Sequence, residues 1–211
     1  MKLYCIIKMM VRDIIEDAIN QMMEDSEQTV IYRVIEDNIP LISLFHYVPK
    51  SVDDTNDTER QHNRELLWCF KDGNQDDEQY PIVMEAVLDA FMDIICKLFD
   101  NDTRNLTLTF IPSSSKSTNH RRWSHFSRII ANALGCENGF KHLRPTKDSV
   151  PRHYIGRGRV RPLDVDEEFF DGKQVILIDD LVNTGETMKD AIRQLRNAGA
   201  EVVCCLSVAT T

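Results

Sequence analysis

An α/β fold is predicted, with a mostly parallel central sheet, flanking helices and a small N-terminal α+β cap. Three observations carry the prediction. Two short apolar runs, Val175–Ile178 and Val202–Val208, enclose a segment of helical spacing; a third run occupies Leu106–Pro112; and before residue 64 the elements are short and separated by polar chain. Strands buried on both faces read as continuous apolar runs, and a strand, helix and strand in succession form a parallel unit.

The elements follow in chain order. Val11–Met23 has helical apolar spacing, Thr29–Val34 and Leu41–Tyr47 read as strands, and Ser51–Arg64 reads as a hydrophilic, mobile connection. Residues 1–63 are therefore assigned to the cap and 64–211 to the main domain. Glu85–Phe99 is a helix with one thin polar stripe, because Glu85, Asp89, Asp93 and Lys97 recur every fourth residue on an apolar segment. After the Leu106–Pro112 strand comes a hydroxylic loop with one ammonium, Ser113-Ser114-Ser115-Lys116-Ser117. Trp123, Phe126, Ile130, Ala133 and Leu134 then line a helical face ending at Gly135. Asp171-Gly172 turns the chain into Val175–Ile178, and Met188, Ala191, Ile192 and Leu195 define a helix that stops at Gly199.

The most informative segment is Asp179-Asp180-Leu181-Val182-Asn183-Thr184-Gly185-Glu186-Thr187, at the carboxyl end of an apolar strand, where ligands of parallel sheets collect. Backbone N–H groups of Asn183, Thr184, Gly185, Glu186 and Thr187, two threonine hydroxyls and the positive end of a helix converge there, and glycine permits close approach. A phosphate monoester suits that turn. Asp179 and Asp180 would repel a second phosphate, but they accept hydrogen bonds from vicinal ribose hydroxyls or help to hold a divalent metal.

This pattern resembles the signature of type I phosphoribosyltransferases. Ile111-Pro112, the serine loop, Arg121-Arg122-Trp123-Ser124-His125-Phe126 and Leu143–Asp148 add a likeness to the ComF-like members, as does Leu66–Gly73. The resemblance implies transfer of 5-phosphoribosyl from 5-phosphoribosyl-1-pyrophosphate (PRPP) to a nitrogenous small-molecule acceptor, with Mg²⁺ and release of pyrophosphate. It places Asp179 and Asp180 in the catalytic and metal-holding role, and Asn183 to Thr187 at the 5′-phosphate. Ser113, Ser114, Ser115, Lys116, Ser117, Arg121 and Arg122 fall at the pyrophosphate, and the cap forms part of the acceptor site. Three departures stand out: only Cys5 precedes Cys69, so no N-terminal four-cysteine zinc ribbon can form; Asn183 replaces a threonine or acidic base; and Glu186 adds a carboxylate beside the turn.

Charge is unevenly placed. The 211-residue chain carries a net charge of −9, yet from Lys116 to Arg161 the basic residues face only Glu137 and Asp148. Within a phosphoribosyltransferase the stretch reads as a lid with Arg152, Arg157 and Arg159 reaching inward and Gly156 and Gly158 as hinges. The less favoured readings are a nucleic-acid patch, which suits a non-catalytic ligand-binding regulator linked to DNA, or a solvated loop. The six cysteines read as buried thiols of a reducing compartment, and the histidines lack metal-site spacing. Met1–Met10 is apolar but short and no run can span a membrane, so the expectation is a cytoplasmic protein, with a homo-oligomer compatible.

Overall fold

The computed structural model describes residues 30–52, 57–72, 78–113, 115–146 and 162–211. The expected helix at Val11–Met23, Ser114, and the lid residues Arg152, Arg157 and Arg159 lie outside the described residues.

Six strands form the main sheet: β1 (Ile31–Val34), β2 (Pro40–His46), β3 (Leu106–Phe110), β4 (Glu137–Asn138), β7 (Gln174–Val182) and β8 (Glu201–Thr210). Their order is β1-β2-β8-β7-β3-β4, and every pairing is parallel except the antiparallel edge strand β1. Two further strands, β5 (Leu143–Pro145) and β6 (Leu163–Val165), pair as a separate antiparallel ribbon. The helices are α1 (Thr58–Asp72), α2 (Gln79–Leu98), α3 (Lys116–Leu134), α4 (Glu167–Phe170) and α5 (Glu186–Asn197). The fold is thus α/β, with a mostly parallel sheet and flanking helices.

Alternate residues of the central strands enter two different cores, which is why their sequences are apolar without interruption. Ile176 and Ile178 of β7 join the core under α1, α2 and α3, whereas Val175 and Leu177 pack with Met188, Ile192 and Leu195 of α5. The first core is aromatic: Phe70, Phe110, Trp123 and Phe126 meet mainly edge to face, and Trp123 Nε1 donates to the Ile111 carbonyl at 3.2 Å. That bond ties α3 to the loop leaving β3.

Three expectations need correction. The strands assigned to the cap extend the main sheet, because β2 pairs with β8 and buries Leu41 in one core and Ile42 in the other. Its Ser43 is accommodated by a 2.6 Å hydroxyl contact with Ser207 on β8. The hydrophilic connection is shorter than expected, since α1 begins at Thr58. Asp57 Oδ1 accepts from the Glu59 and Arg60 backbone N–H groups, a capping arrangement, and the helix then buries Leu67 and Phe70. Finally, β7 does not stop at Ile178 but runs through the acidic pair to Val182, held by continued pairing of Leu181 with Ala209 and Val182 with Thr210.

Candidate functional site

β7 and α5 meet at a turn on the carboxyl edge of the sheet. Gly185 has φ +81°, in the left-handed region that favours glycine, and a Cβ there would lie 3.1 Å from Ile35 Cδ1, which would have to give by a few tenths of an ångström. Helix α5 starts at Glu186, and the N–H groups of its first turn have no partner within the helix. The Thr184 hydroxyl lies 3.5 Å from the Glu186 nitrogen. Asn183 and Thr184 are exposed. Such a terminus can hold an anion. Glu186 forms an ion pair with Lys189 at 3.0 Å, which directs its carboxylate along the helix surface.

The edge strand brings a cation to this turn. Arg33 donates to the Asn183 carbonyl at 3.2 Å and to the Val182 carbonyl at 3.4 Å. With Thr184, Gly185 and Lys189 it lines a hollow of about 410 Å³. The turn between β1 and β2 is fastened to α5 by Glu36 with Arg193, at 2.8 and 2.9 Å, and by Asp37 with Arg196.

The two aspartates behave differently. Adjacent strand residues point to opposite faces. Asp180 is buried on the α1/α3 face, where Arg122 pairs with its Oδ2 and Lys71 Nζ lies 3.6 Å from its Oδ1. Asp179 instead turns its Oδ1 onto the Asp180 backbone N–H at 2.8 Å. Burial pushes its carboxyl up to about 8; the neighbouring Asp180 charge adds to the rise, and Lys71 and Arg122 oppose it. The two carboxylates therefore have different partners, Asp180 the cations of α1 and α3 and Asp179 the backbone of its own strand.

The loop after β3 is also more structured than its sequence suggests. Ser115 is the N-cap of α3, its Oγ accepting from the Thr118 N–H at 3.1 Å, so Lys116 and Ser117 are exposed first-turn residues. Ser113 takes its backbone N–H to Asn119 and its hydroxyl to Arg122, at 3.0 and 3.2 Å. Arg122 is held further by the Lys71 carbonyl at 3.3 Å, whereas the exposed Arg121 lies 3.6 Å from Asp72. Ser113, Arg122 and Asp180 thus come together; Lys116, Ser117 and Arg121 stay outside that cluster.

Sequence reasoning assigned no role to Lys71, Asp72 or Arg33. Lys71 and Asp72 were visible only inside the Leu66–Gly73 likeness, and an arginine in an edge strand carries no local signal. For a metal, the two carboxylates are what the turn offers: among the described residues no group of three or more histidine, cysteine or acidic side chains is arranged to hold one. Two carboxylates without further protein donors could contribute to holding a divalent ion such as magnesium but could not cage it alone. Among the described residues no helix is long and apolar enough to cross a membrane.

A family model described as a phosphoribosyl transferase domain matches residues 90–211. Solved structures that match the chain include an adenine phosphoribosyltransferase, 16% identical, covering 62% of this chain and 71% of that one at a TM-score of 0.44. The adenine phosphoribosyltransferase of Giardia lamblia complexed with 9-deazaadenine is 13% identical, covers 90% of this chain and 97% of its own, and has a TM-score of 0.41. The orotate phosphoribosyltransferase of Aeropyrum pernix is 15% identical, with 90% and 92% covered and a TM-score of 0.31. No curated protein sequence matches the chain.

Proposed function

The chain belongs to the phosphoribosyl transferase domain family, and from that premise we propose that it transfers 5-phosphoribosyl from PRPP to a nitrogenous acceptor and releases pyrophosphate. The observation that carries this reading is the left-handed turn at Gly185, set between an acidic strand end and the open N-terminus of α5. The turn from Asn183 to Thr187 takes the 5′-phosphate, with Arg33 beside it. Asp179 and Asp180 take the ribose hydroxyls, which requires Asp180 to exchange part of its contact with Arg122 and Lys71 for substrate. Ser113 and the N-terminus of α3, with Arg121 and Arg122, take the diphosphate.

In the reaction the acceptor nitrogen forms a bond to C1 as the C1–oxygen bond to diphosphate breaks. The bonding electrons leave with the diphosphate, and the acceptor loses a proton. Positive charge developing on the ribose favours a site that fixes the diphosphate and excludes water. Asp179 and Asp180 would help to hold Mg²⁺, which would supply positive charge to offset that of the leaving group. Asn183 cannot act as a base at neutral pH, so a mechanism that needs an acidic residue at that position is disfavoured.

The test is pyrophosphate release from PRPP and Mg²⁺ with a panel of purine, pyrimidine and amine acceptors. Acceptor-dependent release, lost in Thr184→Val/Thr187→Val, is expected. A second reading, a non-catalytic PRPP-binding regulator linked to DNA, is favoured by one observation: Asp180 is already neutralised by two cations. PRPP binding without turnover with any acceptor selects that reading, and no binding at millimolar PRPP sinks both.

A further inference from the structure

A second cavity lies away from the Gly185 turn, between α3, the start of α2 and the chain joining β4 to β5. It has a volume of about 750 Å³, within the range of small-molecule sites. None of the residues at the phosphate turn lines it, nor do Asp180, Ser113 or Arg122. Among the described residues that line it the permanent charges are all positive, Arg121, Arg128 and Lys141, with no carboxylate. This is unusual for a chain with a net charge of −9.

The cations differ in how far they are already engaged. Arg121 leans toward Asp72 at 3.6 Å, on the side of the acidic network. Arg128 is exposed and contacts His125 Nδ1 at 3.1 Å; Lys141, on the chain joining β4 to β5, is also exposed. Among the described residues neither Arg128 nor Lys141 enters an ion pair. Tyr80, from α2, and Phe140, beside Lys141, supply apolar ring surface within the same cavity. Cations and the accessible edges of two aromatic rings lining one cavity suit a ligand that carries both a phosphate and a flat ring.

We propose that this cavity is a ligand site for a nucleoside phosphate, sharing only Arg121 with the proposed phosphoribosyl site. Arg128 and Lys141 hold the phosphates, and the Tyr80 and Phe140 rings pack against the base. A concavity with its cations gathered in one place favours a small ligand over a nucleic-acid strand, whose backbone would be followed by an extended stripe of cations. The assignment does not rest on the phosphoribosyl reading. Because α3 carries Arg121 into this cavity and the next residue, Arg122, onto Asp180, occupancy is placed to influence the acidic network.

Calorimetric titration of the full chain with ATP, adenosine and inorganic triphosphate tests it. ATP is expected to bind more tightly than either fragment, and Arg128→Ala/Lys141→Ala, two exposed positions, to weaken it at least tenfold with an unchanged circular dichroism spectrum. Thr184→Val/Thr187→Val should leave ATP affinity intact. The proposal is overturned if ATP does not bind, if the Arg128/Lys141 variant binds it unchanged, or if the threonine variant loses it, which would put ATP in the cradle. Tight binding of a single-stranded oligonucleotide that ATP does not displace would also overturn it.

Discussion

Arg122→Met removes the main partner of a buried carboxylate while keeping most of the side-chain volume. The Arg122 and Asp180 side chains are only 10% and 9% exposed, so water does little to replace the lost cation. Removing one member of a buried pair costs about 3–5 kcal/mol. Lys71 remains 3.6 Å from Asp180 Oδ1, which places the expected cost near the low end. Ser113 Oγ and the Lys71 carbonyl also lose a donor, at 3.2 and 3.3 Å, adding about 1 kcal/mol. The sum is ~4 kcal/mol, a large part of the stability of a domain. Adding Asp180→Asn removes the uncompensated charge, so the double variant should recover roughly 2 kcal/mol relative to the sum of the singles. Urea unfolding of the four proteins measures this coupling. If the two single effects add to within about 0.5 kcal/mol, Arg122 and Asp180 do not act as a pair and the network is misread.

Asp179 gives a pH prediction. Its folded-state pKa is raised to about 8, so the folded protein holds this proton more tightly than the unfolded chain. The associated stability is complete below about pH 4, the ordinary aspartate range, and is lost as pH rises through the folded value. Relative to Asp179→Asn, the native protein should lose on the order of 1 kcal/mol per pH unit between pH 5.5 and 7.5, and parallel denaturation profiles for the two would refute the shift. Gly185→Ala should destabilise by about 1–2 kcal/mol through its left-handed backbone, and it should weaken PRPP binding in calorimetry as Ile35 is displaced. Arg33→Gln should weaken PRPP affinity roughly tenfold with little change in Tm, since its contacts are to exposed or half-buried carbonyls; equal affinity would confine Arg33 to a structural role.

What the sequence determined by itself is local in origin. The β7–α5–β8 unit was legible because uninterrupted apolar runs and helical spacing encode burial directly. The Gly185 turn was legible because its parts are consecutive: an acidic pair, Thr184, Gly185 with its positive φ, and the first turn of a helix. The hydroxylic loop was legible as composition, although Ser115 proved to cap α3 and so drew Lys116 and Ser117 into the helix. Tertiary structure decided the rest. Arg122 and Asp180 are 58 residues apart, and Arg33 and Asn183 are 150 apart, so no spacing rule connects them. Whether β2 stood in a cap or in the main sheet depended on β8 offering an unpaired edge, which Leu41 and Ile42 fill from opposite faces. The unequal fates of Asp179 and Asp180 arose in the same way. Strand alternation assigns the two residues to different faces, but only the packing of α1 and α3 put Lys71 and Arg122 on one of them, leaving Asp179 to carry its proton to higher pH.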